Sequence, residues 1–280
     1  MNHATPSYHP AMSTHYETLP PTSPYLEVFG VAPPQEAQVR HLWPRSSGHF
    51  IRAVHAAGAV PAPLPSPDAA PALAPNATEE AQAPAPTDAL APAPAPPDTA
   101  LPTRELVSAQ WGLVPHWVKS AADGRLRASK LVNAKSETVS TTRAFHEAWV
   151  KGQRCIVPMA AFFEDDYRDG KARPTRISRI DGQPMGVAGL WARWTGAEGE
   201  EVISYTLLTM NANNHALLRR YQQPGSEKRM PVVLNEGAYG AWLTVRMEKA
   251  KEFMRQYPAN WLAANPVENK ADKVPKGLLD

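Results

Sequence analysis

Cysteine is almost missing: Cys155 is the only one in 280 residues. A disulfide framework and a cysteine-rich zinc site are thereby excluded, and one thiol is ordinary for a reducing cytosol. Long hydrophobic runs are missing too. No stretch approaches the ~20 apolar residues of a membrane span, and the opening Met1-Asn2-His3-Ala4-Thr5-Pro6 lacks the basic start and apolar centre of an export signal. A cytoplasmic protein without a membrane partner is expected. Nor is there an excess of one charge: 29 Lys and Arg against 27 Asp and Glu leave +2. That balance does not announce nucleic-acid binding, so any DNA site has to come from local charge. The nine histidines form no ligand cluster. The closest set, His3, His9 and His15, reads as part of a polar, unordered N-terminus, and no metal or cofactor is expected.

Proline is what the chain has in excess. Its 30 prolines are roughly twice the usual share, and almost half fall between Pro61 and Pro102. From about 59 to 103, Ala and Pro alternate without a Lys, Arg, His or aromatic residue. Such a stretch cannot bury enough apolar surface to order itself, and predicts an extended, polyproline-like loop. Residues 13 to about 60 are too few for their own core, yet Tyr25-Leu26-Glu27-Val28-Phe29 and Trp43 look like residues that need burying. The expectation is therefore one domain over 12–262, interrupted by a disordered insertion at about 59–103, with an extension at 1–11 and a tail at 263–280. Loop-closure entropy grows slowly with length, so such an insertion costs little.

After Thr103 the pattern is mostly that of strands. Short runs at 106–114, 154–157, 161–167, 174–180, 185–191, 202–210 and 231–234 are bounded by Gly, Pro or Asp, and several alternate. Thr142 predicts the start of a helix carrying Phe145, Ala148 and Trp149, and Asn213 the start of another with Leu217, Leu218 and Tyr221. Two more helices are expected over 236–243 and 247–257. The class is α+β, with a curved, mainly antiparallel, barrel-like sheet and peripheral short helices.

Five segments in order carry a resemblance: Trp111-Gly-Leu-Val-Pro-His-Trp117, Asn133-Ala-Lys-Ser-Glu-Thr138, Arg154-Cys-Ile-Val-Pro-Met-Ala-Ala-Phe-Phe-Glu164, Ala188-Gly-Leu-Trp191 and Lys228-Arg-Met-Pro-Val-Val-Leu234. Together they resemble the SOS-response-associated peptidase family, whose members bind single-stranded DNA and cross-link to abasic sites through a cysteine that follows the initiator methionine. The resemblance implies a single compact domain around a DNA groove; a monomer is expected, with no cofactor, drawn to the nucleoid when DNA is damaged. Met12-Ser-Thr-His-Tyr-Glu17 is similar to the family's start, with Ser13 where the cysteine is expected. Lys135 stands for the usual arginine of Asn-Ala-Arg, and Glu227-Lys228 precede Arg229 where many members have a histidine.

An abasic site exposes an aldehyde that an amine converts to a Schiff base, and a neighbouring thiol then closes a stable thiazolidine. If translation starts at Met12 and the methionine is removed, Ser13 offers the amine but a weaker ring-closing group, so a transient, lyase-like or reversible adduct is expected. If it starts at Met1, Ser13 has an amide and neither route remains. Glu164, after Phe162-Phe163 at the end of an apolar strand, is suited to shuttle a proton, the role the resemblance implies. Glu137 reads as a structural partner for a cation or backbone amide. By resemblance Asn133 holds the sugar or the amine, and Lys135, Lys228 and Arg229 meet phosphates. Trp117, more than Trp111, is the candidate for stacking on a base. Cys155 lies in a run that reads as a buried strand and lacks an amine, so it is not an alternative nucleophile; His215 is a proton carrier near the groove or a helix cap.

Two further readings stay open. A non-catalytic descendant would shield single-stranded or damaged DNA through the groove alone. An autoproteolytic peptidase ranks lowest, for want of a Gly-x-Ser-x-Gly elbow or a Ser/His/Asp order.

Overall fold

Why the strand-rich half of the sequence closes on itself is visible in its pairings. A computed structural model describes residues 15–36, 38–54 and 103–267, all within one compact unit. In chain order the strands and α-helices are β1 (Tyr16–Glu17), α1 (Tyr25–Phe29), β2 (His41–Leu42), β3 (Ser47–Ala53), β4 (Arg104–Trp111), α2 (Ala121–Ala128), β5 (Asn133–Lys135), α3 (Arg143–Val150), β6 (Arg154–Met159), β7 (Ala161–Asp166), β8 (Arg173–Arg179), β9 (Met185–Thr195), β10 (Glu201–Asn211), β11 (Arg229–Pro231), β12 (Val233–Leu234), α4 (Tyr239–Thr244) and β13 (Leu262–Pro266).

Five strands form a closed ring, in which β10 pairs with β4, β4 with β3, β3 with β6, β6 with β9, and β9 again with β10. All these pairs are antiparallel except β10 with β4. Strands β5 and β11 add to β10, and β12 to β9. A second sheet runs β13-β8-β7-β1-β2. The ring is tight where β9 crosses it: a Cβ on Gly189 would lie 2.6 Å from the Thr206 carbonyl oxygen and 2.9 Å from Cys155 Sγ.

Alternation puts successive residues of one strand on opposite faces. Phe50, Cys155, Val157, Val187 and Leu207 join one buried cluster with Tyr16, Phe162 and Ile177 of the second sheet. Their neighbours Ile51, Ile156, Ala188 and Leu208 join another with Phe29, Trp149 and Trp242 from the helices. Both faces of β6, of the first half of β9 and of the central part of β10 are therefore covered, which is why their sequence reads as nearly continuous apolar runs.

Helix α3 begins after Thr142 and buries Phe145, Ala148 and Trp149, the i, i+3, i+4 face expected of it. Other expectations need correction. Beyond Asn213 there is only a 3-10 turn at Leu218–Arg220, and Met247–Phe253 is also 3-10. The His215 ring explains the first: its Nδ1 accepts the backbone N–H groups of Leu217 (3.3 Å) and Leu218 (3.0 Å), while Nε2 lies 2.7 Å from the Tyr257 carbonyl. Buried at 3% exposure, it caps a turn instead of serving a groove. Tyr25 and Phe29 are buried as expected, but Trp43 is 53% exposed. The folded chain also runs past residue 262, since β13 pairs with β8 as far as Pro266. The extension at 1–11, nearly all of the Ala/Pro-rich insertion and the end of the tail lie outside the described residues.

Candidate DNA-binding and catalytic site

The described chain enters beside Glu164. Strand β1 runs antiparallel to β7, with Tyr16 opposite Phe162, and the His15 carbonyl accepts the Phe163 N–H at 3.3 Å. The His15 ring is sandwiched between Phe163, at 4.0 Å and 7°, and Trp43, at 4.2 Å and 5°. Its Nε2 is 2.8 Å from His41 Nδ1. Burial and the neighbouring His41 push the His15 imidazole down to about 4. His15, expected in an unordered terminus, is thus a neutral ring in an aromatic stack. Ser13 lies outside the described residues.

Glu164 is 4% exposed, on a strand whose next two residues are tied to the 221–229 segment. Asp166 forms a β-bridge with Tyr221, and Gln222 donates its backbone N–H to the Asp165 carbonyl at 2.7 Å. Gln222 sits in the left-handed region, at φ 66°. Its side-chain amide spans the Arg229 backbone, donating to the carbonyl at 2.7 Å and accepting the N–H at 3.0 Å. A glutamine amide is one donor and acceptor pair in a plane, which is what both edges of one peptide require. The local pattern carried no signal for Gln222.

Lys228 leans back onto this turn. Its Nζ donates to the carbonyls of Gln222 (3.1 Å) and Gln223 (2.6 Å), and its N–H to Asn213 Oδ1 at 2.7 Å. Burial lowers its ammonium below the usual lysine value, while the negative charge of Glu164 pulls the other way. The structure therefore brings Lys228 and Glu164 into one electrostatic neighbourhood.

The remaining cations form a network on β5, β10 and β11. Asn133 and Lys135 are two apart on β5, hence on one face, paired with Leu207 and Thr209 of β10. Asn133 is half-buried and Lys135 exposed. Lys135 Nζ donates to Glu227 Oε2 at 2.7 Å. Arg229 is buried, its side chain only 2% exposed, and it does not present its guanidinium to solvent as a phosphate contact requires. The fork donates to Glu137 (3.0 and 2.7 Å), to Glu227 (2.8 Å) and to the Thr209 carbonyl (2.8 Å). Glu137 also accepts the Asn211 N–H at 3.0 Å. Although burial pushes Glu137 upward, the Arg229 hydrogen bonds hold its carboxyl below the usual range. For Glu227 the hydrogen bonds from Lys135 and Asn211, reinforced by Arg229, outweigh burial and hold the carboxyl down at about 2.

The tryptophans separate. Trp111 is core, its indole N–H donating to the Val132 carbonyl at 3.1 Å. Trp117 is half-buried, with the guanidinium carbons of Arg143 and Arg127 at 4.6 and 5.3 Å from its ring. Among the described residues this group, tied through Arg127 to Asp123 at 2.8 Å, and the Lys135–Arg229 network are held by separate sets of side chains. Cys155 is buried at 0% exposure, and burial pushes its thiol well up. Among the described residues no three His, Cys, Asp or Glu gather as metal ligands, and no helix is long and apolar enough to cross a membrane.

Fold and site define a class: an α+β domain on a closed five-stranded ring, with a buried carboxylate on the strand that pairs with β1 and a network of bonded cations on β5, β10 and β11. The chain belongs to the SOS response associated peptidase family, whose profile matches residues 61–274. It is 31% identical over 135 residues to Abasic site processing protein YoqW of Bacillus subtilis, covering 48% of this chain and 55% of that protein. With Abasic site processing protein HMCES of Gallus gallus it shares 26% identity over 192 residues, 61% of this chain and 55% of the relative. The chain thus spans about half the length of these relatives. A crystal structure of a Bordetella bronchiseptica protein is 36% identical, covers 91% of this chain and all of its own, and superimposes with a TM-score of 0.69.

Proposed function

We propose that this chain processes abasic sites: it binds single-stranded DNA, and an N-terminal amine at Ser13 attacks the sugar aldehyde. The observation that carries the reading is Glu164, a carboxylate 4% exposed, one residue along β7 from the backbone bond to His15. The names of the relatives supply the substrate.

The amine nitrogen adds to the aldehyde carbon and the carbonyl electrons move to oxygen, giving a carbinolamine. Glu164 in its acid form donates the proton with which the hydroxyl leaves as water, and the carbon–nitrogen double bond closes. The resulting carboxylate can then take a proton from the sugar carbon next to the imine, which expels the 3′ phosphate in a lyase step. The Ser13 hydroxyl gives a labile oxazolidine where a thiol would give a durable ring. Asn133 and Lys135, side by side on β5, orient the sugar and its phosphate, and Lys228 adds positive charge beside Glu164. Autoproteolytic release of the residues before Ser13 would expose the same amine.

The serine in place of cysteine favours a second reading, in which the groove shields DNA without reacting. One experiment separates the two. Single-stranded DNA with one abasic site is incubated with protein beginning at Ser13, with the Ser13→Cys variant and with the full chain, each with and without borohydride, and run on denaturing gels. The reactive reading expects a band for the serine protein only after borohydride and a durable band for the variant. DNA binding without either band leaves the shielding role, and a variant that neither binds nor cross-links sinks both.

A further inference from the structure

Trp43 is the outer layer of the Phe163–His15–Trp43 stack, yet it is 53% exposed. His15 covers one face of the indole at 4.2 Å, so the exposed area lies on the opposite face and edge. The residue is carried on a tight turn: the Ser46 N–H returns to the Trp43 carbonyl at 3.1 Å, and the Arg45 N–H is anchored to the Trp111 carbonyl of the ring at 2.8 Å. Pro44 second and a positive φ third are the pattern of a type II turn, where glycine or asparagine is favoured. Here the third residue is Arg45, at φ 71°. A long side chain in the left-handed region is uncommon, and strain of that kind gathers at functional positions. Arg45 is exposed and makes no ion pair among the described residues, unlike Arg40, which is bonded to Glu17 at 2.8 Å.

We propose that the Trp43–Ser46 turn is a second nucleic-acid contact, in which the open face of Trp43 stacks on a base of the single strand held at Glu164 and Arg45 meets the adjoining phosphate. The inference rests on the abasic-site reading and adds to it a place for a neighbouring nucleotide. Every base has a π-face, so the contact is indifferent to sequence. Because the stack begins at Phe163, next to Glu164, the base continues a column of rings leading away from the reactive sugar.

The test uses the full chain and a single strand carrying one tetrahydrofuran abasic analogue, which binds without reacting, with 2-aminopurine placed in turn at each neighbouring position. Trp43→Ala is expected to weaken binding roughly tenfold and to restore 2-aminopurine fluorescence at one of those positions, with Trp43→Phe in between. Arg45→Gly is expected to lower the slope of log affinity against log salt by about one while leaving thermal stability unchanged or raised, because glycine adopts this φ freely. A purely structural arginine would give the reverse pattern. If the natural chain binds and the variants match it in affinity, quenching and salt slope, the turn is no contact and the reading of Glu164 survives. If the natural chain does not bind the strand at all, both fall.

Discussion

Lys135 Nζ donates to Glu227 Oε2 at 2.7 Å, so the lysine of the Asn-Ala-Lys segment is neutralised by a carboxylate from a segment far along the chain. Glu227 stays ionised down to about pH 2 because Lys135, Asn211 and Arg229 all bond to it. Both partners are partly in solvent, 55% and 38% exposed, so the pair adds little stability and its importance lies in binding. Phosphate has to compete with Glu227 for Lys135. Glu227→Gln should therefore tighten single-stranded DNA binding several-fold at low salt and steepen its salt dependence, measured by fluorescence anisotropy at several ionic strengths. An unchanged affinity and slope would show that Lys135 never meets the phosphate.

Arg229 should behave as part of the fold. Arg229→Ala takes the buried guanidinium away from the Thr209 carbonyl and two carboxylates, and is expected to cost about 3 kcal/mol, the low end for a broken buried pair because Glu137 and Glu227 are themselves about two-fifths exposed and keep bonds to Asn211 and Lys135. Arg229→Lys recovers only part of this, since an ammonium cannot span both carboxylates as the fork does. Urea unfolding measures both. A loss under about 0.5 kcal/mol, the range of ordinary surface substitutions, would contradict the role.

Glu164→Gln keeps the shape and removes the proton. In the Ser13→Cys background it should slow covalent capture by roughly 10²–10⁴-fold, with DNA affinity and melting temperature nearly unchanged. Equal capture rates would assign the proton transfer to another group.

The His15 stack should be acid-labile. Its imidazole is at about 4 in the fold against about 6.5 unfolded, a depressed value. The stabilising effect of the neutral ring is then complete above pH ~6.5 and lost as the pH falls toward 4. His41, on the same nitrogen, and Glu17, whose charge favours the cation, are the titratable groups that oppose each other there. The melting temperature should fall over this interval, and His15→Phe, which keeps the stack without the proton site, should flatten the decline.

The β-rich class and the positions of β6 to β10 were readable from alternation and apolar runs, because ring strands covered on both faces leave a continuous signal. Strand β3 was not, since Gly48, His49 and Arg52 interrupt its apolar residues and its pairing partner β4 lies beyond the Ala/Pro-rich segment. Glu137 meets both a cation and a backbone amide, as its place in the sequence predicts, but its bond to Arg229 joins residues far apart in the chain, so that no local pattern shows the arginine buried. Trp43 resembles core because indole usually is, and its exposure goes with a turn that Pro44 suits but that Arg45, at φ 71° where glycine or asparagine is usual, does not announce.

The hairpin of β3 and β4 has one further consequence. Seven antiparallel pairs, from Ser47 with Gln110 to Ala53 with Arg104, set its register, and the Val54 N–H then reaches the Thr103 carbonyl at 2.7 Å. Everything between positions 54 and 103 therefore leaves and returns through two adjacent strand ends, about 5 Å apart. The β3–β4 pairing itself does not require that path to be continuous. Two fragments cut within 55–102 are expected to stay together through the β3–β4 ladder, which size-exclusion chromatography of the nicked protein would check, and the same gap is where new chain ends could be opened in a circularly permuted protein.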